Sequence, residues 1–84
     1  MTQDDLVVRV RRVVSQVFGV KMEGIHAGTR FMDDLGCDSG QLMDLVQALE
    51  DEFGTEIPTS AASEMQTVHD AAAWLARAGV GGNL

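Results

Sequence analysis

Cysteine, tyrosine and tryptophan are scarce: the chain has one cysteine, Cys37, one tryptophan and no tyrosine. A single cysteine cannot close an internal disulfide, and two widely separated histidines lack the spacing of a zinc site. With so few aromatic residues, the core must consist mainly of aliphatic side chains. A chain of 84 residues buries only a modest core, which favours a binding or carrier module over an enzyme with a deep catalytic pocket.

Basic residues are absent between Asp33 and Asp70, a segment that holds ten acidic residues in a chain of net charge −7. Such a surface repels nucleic acid and anionic lipid, and it favours partners with basic surfaces. Residues 1–5 are acidic where a secretion signal would be basic, and no apolar run approaches the length needed to cross a membrane. We therefore expect a cytoplasmic monomer that neither binds nucleic acid nor inserts into membranes.

Apolar residues with helical spacing predict three main helices, over residues 6–17, 42–53 and 68–75. No segment shows the alternation of a strand. Residues 60–65 are expected to form one short helical turn, and residues 20–38 a long packed loop with a short turn at 33–36.

Capping residues and glycines mark the expected helix ends. The predicted caps are Thr2 with Asp5, Asp38, and Thr67 with Asp70, and the predicted stops are Gly19, Gly54 and Gly79. The fold class predicted is all-α, a small four-helix bundle with a long first loop. It forms a single domain over residues 1–84, with a core at about 4–76 and a flexible tail at 79–84.

Ser39 lies at the tip of the long loop, where the second helix begins. Helix N-termini carry unpaired N–H groups and partial positive charge, so an anion attached to Ser39 would be favoured. For an isolated Asp-Ser pair, an ordinary helix cap formed by Asp38 or Ser39 is the better explanation.

The surrounding motif decides between these interpretations. The run DDLGCDS at 33–39 is followed in register by LVQALEDEFGTEIP at 45–58, with FGV at 18–20 and Thr67-Val68 opening the last helix. This pattern resembles the acyl carrier protein family over residues 4–76. The resemblance implies that a phosphopantetheinyl transferase, using coenzyme A and magnesium, attaches 4'-phosphopantetheine to Ser39, flanked by Asp38. The arm would carry acyl groups as thioesters during fatty acid or related polyketide or specialised lipid synthesis, and the chain itself would not be an enzyme.

The resemblance also makes the second helix the surface that partner enzymes recognise, among them a ketosynthase, an acyltransferase, a ketoreductase and a dehydratase. The residues expected to contact partners are Gly40, Met43, Asp44, Gln47, Glu50 and Asp51, with Glu52 adding negative charge. Met43 has the alternative of packing at the edge of the core. The apolar stripe formed by Leu42, Leu45, Val46 and Leu49 is assigned to the core, and part of it to an acyl pocket.

Two positions depart from the family pattern and leave alternatives open. Gly40 stands where many members have Leu, and Gln41 where fatty-acid carriers often have Asp, so the pathway is undetermined. A peptidyl or aminoacyl carrier and an unmodified helical interaction module are the alternative functions. Cys37 would form intermolecular disulfides if exposed, and would behave as a small inert hydrophobic residue if buried.

Overall fold

The structure, a computed structural model, describes residues 3–79, which contain four α-helices and one 3₁₀ turn joined by loops. The helices are α1 (Gln3–Phe18), α2 (Ser39–Phe53), α3 (Thr59–Ala62) and α4 (Val68–Arg77). The all-α prediction is confirmed, and within residues 3–79 the sole extended pairing is an isolated antiparallel bridge between Arg30 and Thr67. The 3₁₀ turn, Met22–Gly24, lies in the long loop where the sequence predicted no regular structure.

The ends of α2 and α4 follow the predicted capping chemistry. The Asp38 carboxylate accepts a hydrogen bond from the Gln41 N–H at the start of α2, and the Thr67 hydroxyl accepts one from the Asp70 N–H at the start of α4. Gly54 ends α2 in the left-handed conformation with φ 64°. Because a Cβ is strained in this conformation, glycine suits the position and stops the helix there.

The core lies where α1 packs against α4 and α2. Its largest fully buried side chains are Phe31, Leu6, Ile25, Leu45, Leu49, Leu75, Val10, Val14 and Val68. All but Phe31 are aliphatic, as the scarcity of aromatic residues required. Leu45, Val46 and Leu49 are buried as predicted, whereas Leu42 and Phe53 are half-buried at the two ends of the α2 stripe.

Main-chain hydrogen bonds join the long loop to the start of α4. The Phe31 N–H donates to the Gln66 carbonyl at 2.9 Å, the Val68 N–H to the Thr29 carbonyl at 3.2 Å, and the His69 N–H to the Ala27 carbonyl at 2.8 Å. We call these three bonds the loop–α4 join. They hold the loop across the bundle, and the loop's own Phe31 and Ile25 side chains are buried in the core.

Two arginines of α1 reach other elements. The Arg11 guanidinium donates to the carbonyls of Ile25 (2.6 Å) and Met22 (2.8 Å), which fixes the 3₁₀ turn against α1. The Arg9 guanidinium bonds the Glu52 carboxylate at 3.1 Å and lies 4.5 Å from the centre of the Phe53 ring. Ion pairs near the surface contribute little alone, but the aromatic contact adds to this link between α1 and the end of α2.

Some predictions concern residues that the structure does not describe. The Thr2 cap lies outside the described residues, as does the predicted flexible tail apart from Gly79. Within residues 3–79 no helix combines the length and the apolar composition needed to cross a bilayer.

We expect Gly54→Ala to lower the free energy of unfolding by about 1 kcal/mol, since alanine must adopt a left-handed conformation there. Chemical denaturation of both proteins measures the change. Gly28→Ala is the matched control, because that loop glycine lacks a positive φ and a Cβ built on it meets nothing within 4 Å. Equal losses in the two variants would show that backbone conformation is not the cause.

Candidate functional site

A tight turn precedes the start of α2. The Asp34 and Leu35 N–H groups both donate to the Arg30 carbonyl, and the Asp34 carboxylate accepts from the Arg30 N–H at 2.8 Å. The Cys37 N–H then donates to the carbonyl of the buried Phe31 at 3.1 Å. The predicted turn at 33–36 overlaps a turn observed over residues 31–35, and the Cys37 bond anchors the chain two residues before Ser39.

Asp38 and Gln41 form a reciprocal capping box around Ser39. The Asp38 carboxylate accepts from the Gln41 N–H at 2.8 Å, and the Gln41 side-chain oxygen accepts from the Asp38 N–H at 3.1 Å. Gln41, the residue that departs from the family pattern, thus closes this cap without adding a charge. The box fixes the backbone on both sides of Ser39, the first residue of α2.

The Ser39 hydroxyl is free to react with a large partner. Ser39 is exposed, and no residue between 3 and 79 forms a hydrogen bond with its hydroxyl. The N–H groups of Ser39 and Gly40 likewise have no acceptor among those residues, as is usual in the first turn of a helix. A phosphate ester on Ser39 would therefore meet unpaired N–H donors and the positive end of the helix dipole.

The exposed face of α2 carries most of the residues predicted to contact partners. Gly40, Asp44, Gln47 and Asp51 are exposed, and Met43 is 49% exposed, so it lies outside the core rather than at its edge. A Cβ added to Gly40 would lie 3.4 Å from the Asp38 carboxylate, and the Gly40 φ is not positive. The absence of a side chain at this position is therefore not imposed by the backbone.

Two acidic residues of α2 make internal contacts instead of facing solvent freely. The half-buried Glu50 accepts a hydrogen bond from the Ile57 N–H at 2.7 Å, which ties the end of α2 to the segment before α3. The Glu52 carboxylate pairs with Arg9. Among residues 3–79, the exposed carboxylates of α2 that have no partner in another element are Asp44 and Asp51.

A cavity of about 260 Å³, called here the first cavity, lies between the loop, α2 and the segment that joins α3 to α4. Its apolar lining is Phe31, Met32, Leu42 and Met65, and its polar lining is Arg30, Asp33, Ser63 and Gln66. Leu42 lies one helical turn after Ser39, so the cavity begins beside the candidate attachment point.

Part of the α2 stripe was predicted to line an acyl pocket, and of its four residues Leu42 alone lines the first cavity. The other lining residues were missed because they are brought together by the loop–α4 join, which is made of main-chain bonds. No side-chain pattern in the sequence marks those bonds.

Cys37 is buried, with 5% of its surface exposed. Desolvation by burial, and then the nearby Asp38 carboxylate, raise the pKa of the Cys37 thiol. Both effects suppress the reactive thiolate. The interpretation of Cys37 as an inert hydrophobic residue therefore holds, and the condition for intermolecular disulfides, an exposed thiol, is not met.

His26 and His69 are both exposed. Between residues 3 and 79 no three histidine, cysteine or acidic side chains are grouped closely enough to hold a metal ion.

Comparison with known proteins places this site in a family. The family model described as "Phosphopantetheine attachment site" matches residues 8–75. An acyl carrier protein of Sinorhizobium fredii (strain NBRC 101917 / NGR234) is 43% identical over 74 residues, covering 88% of this chain and 95% of that protein. The acyl carrier protein AcpP of Rhizobium meliloti (strain 1021) matches with the same identity and coverage.

We expect Asp38→Ala to lower the free energy of unfolding by about 1 kcal/mol, because the start of α2 loses its cap. Asp44→Ala removes an exposed carboxylate from the same helix and should change stability by less than about 0.5 kcal/mol. Urea denaturation of both variants tests this. A loss in Asp44→Ala as large as that in Asp38→Ala would mean that charge, rather than capping, is responsible.

Proposed function

Because the chain belongs to the acyl carrier protein family and contains that family's phosphopantetheine attachment domain, we propose that Ser39 is the residue that receives the arm. Proteins of this family are carriers, so the chain is a carrier and not an enzyme, and its cofactor is 4'-phosphopantetheine. The observation that carries the assignment is the exposed, unbonded Ser39 hydroxyl at the first turn of α2, in register with the family motif.

The residues around Ser39 fit a phosphodiester. The unpaired N–H groups of Ser39 and Gly40 can donate to its oxygens, and Gly40 offers no side chain that would crowd them. The Asp38 carboxylate, which would repel an anion, is engaged by the Gln41 N–H. When bound, the arm supplies a terminal thiol that holds an acyl group as a thioester.

The first cavity suits the apolar part of the cargo. Leu42 and Met65 line it with Phe31 and Met32, and it starts one helical turn from Ser39. Apolar surface removed from water contributes about 25 cal/mol per Å², so a chain folded into this cavity is favoured over one left in solvent. The protein's own contribution is thus to position the arm and to shield what it carries.

The family works in general with a phosphopantetheinyl transferase and with synthase enzymes. For this chain we propose the following specific set: a ketosynthase, an acyltransferase, a ketoreductase and a dehydratase of a fatty acid, polyketide or specialised lipid pathway in the cytoplasm. These enzymes would approach Ser39 along the exposed face of α2, where Met43 supplies an apolar contact between Asp44 and Gly40. Charge on this face speeds encounter with basic partner surfaces more than it tightens the complexes.

The attachment site is tested by intact mass. Incubation with coenzyme A, magnesium and a promiscuous phosphopantetheinyl transferase should add one phosphopantetheine to the wild type and to Ser60→Ala, and none to Ser39→Ala. Ser60 is the matched control because it is also an exposed serine at a helix. Absence of the added mass on folded wild type would overturn the carrier assignment and favour an unmodified interaction module.

The role of α2 in recognition is tested by charge reversal. We expect the double variant Asp44→Lys, Asp51→Lys to lower the transferase's kcat/KM by roughly tenfold at low salt, and by less as salt screens the interaction. The double variant Glu23→Lys, Glu56→Lys, with both changes at exposed residues outside α2, is the control with the same net charge. An equal loss in this control would show that total charge, and not the α2 face, governs the encounter.

A further inference from the structure

A second cavity of about 170 Å³ lies between α3 and α4. Trp74, the chain's sole tryptophan, lines it together with Ala61 and Ala73, and its charged lining is Glu64, Asp70 and Arg77. Trp74 is half-buried, so one part of its ring faces this space while the rest packs against the core. The proposed carrier function does not involve this second cavity.

Met65 is the residue that the two cavities share. It lines the first cavity with Leu42 and the second with Trp74, and only 3% of its surface is exposed. Its N–H donates to the Ala62 carbonyl at 3.1 Å, which holds its backbone just after α3. The Met65 side chain therefore stands between a space beside Ser39 and a space beside Trp74.

We propose that Met65 is the wall that sets the length of acyl chain this carrier can shield. The inference deepens the proposed function and rests on it, since it takes the first cavity to be the acyl pocket. If each water-sized group needs about 30 Å³, a cavity of 260 Å³ accepts roughly eight or nine non-hydrogen atoms. A longer chain meets Met65, and its excess carbons stay in solvent.

The charged lining of the second cavity explains why a wall between the two cavities would be favourable. An apolar chain end that passed Met65 would come near Glu64, Asp70 and Arg77, whose charges are best left hydrated. Closing that path confines the cargo to the more apolar space. Methionine suits such a wall because its unbranched thioether fills an irregular gap between two spaces.

Trp74 provides a direct readout, because bromine on the end of an acyl chain quenches tryptophan fluorescence on contact. Acyl groups of six and twelve carbons, brominated at the terminus, are loaded from their coenzyme A esters, and intact mass confirms loading. The twelve-carbon chain should quench Trp74 strongly in Met65→Ala and weakly in the wild type. The six-carbon chain should quench in neither.

Two further variants separate loss of the wall from other effects. Met22→Ala makes the same change of side chain on the 3₁₀ turn, where it lines neither cavity, and it should behave like the wild type. Met65→Val removes less volume and should show intermediate quenching. If circular dichroism shows that Met65→Ala is unfolded, Met65→Val takes its place.

The outcomes are distinguishable. Equal quenching by the twelve-carbon chain in wild type and in the Met65 variants would show that Met65 is no barrier, and absence of quenching in loaded, folded Met65 variants would show that the cavities do not connect. Either result overturns this inference alone. Failure of every variant to gain the acyl mass would instead overturn the proposed function, and this inference with it.

Discussion

The rest of the structure depends on the loop–α4 join. A long loop in a small helical domain would ordinarily leave its main-chain groups to water, whereas here Ala27, Thr29 and Phe31 pair with the segment that opens α4. With this pairing Phe31 and Ile25 are buried, and Phe31 and Gln66 line the first cavity together with Leu42. The same pairing determines where the chain must turn toward Ser39. The site is thus positioned by main-chain bonds outside α2, between the long loop and the start of α4.

Helix recognition from the sequence succeeded where side chains carry the signal. The capping residues Asp38 and Thr67 and the stop at Gly54 are chemical marks of helix ends, and the structure has them in those roles. What the sequence did not predict lies in main-chain and long-range contacts. The 3₁₀ turn depends on hydrogen bonds from the Arg11 side chain of α1, and the cavity lining depends on the loop–α4 join. Neither kind of contact produces a periodic pattern of residues in the sequence.

The sequence likewise showed which residues of the candidate site are charged but not which of them have partners in the fold. The acidic residues of α2 look alike in the sequence, but Glu50 accepts a hydrogen bond from the Ile57 N–H and Glu52 pairs with Arg9, while Asp44 and Asp51 have no partner in another element among residues 3–79. A residue's contribution to a recognition surface depends on partners brought from elsewhere in the fold. The position of Ser39, in contrast, was predictable because its motif and its helix cap are both local.

The link between Arg9, Glu52 and Phe53 has a mechanical consequence for α2. The helix is held at its C-terminal end by this link and by Glu50, and at its N-terminal end by the buried Cys37, whose N–H donates to the Phe31 carbonyl. Fourteen residues at 1.5 Å each put Ser39 about 21 Å from Phe53. A rod anchored at both ends cannot tilt without losing one of these contacts. The Ser39 hydroxyl is therefore a fixed point, and the reach of any group attached there must come from the length of that group.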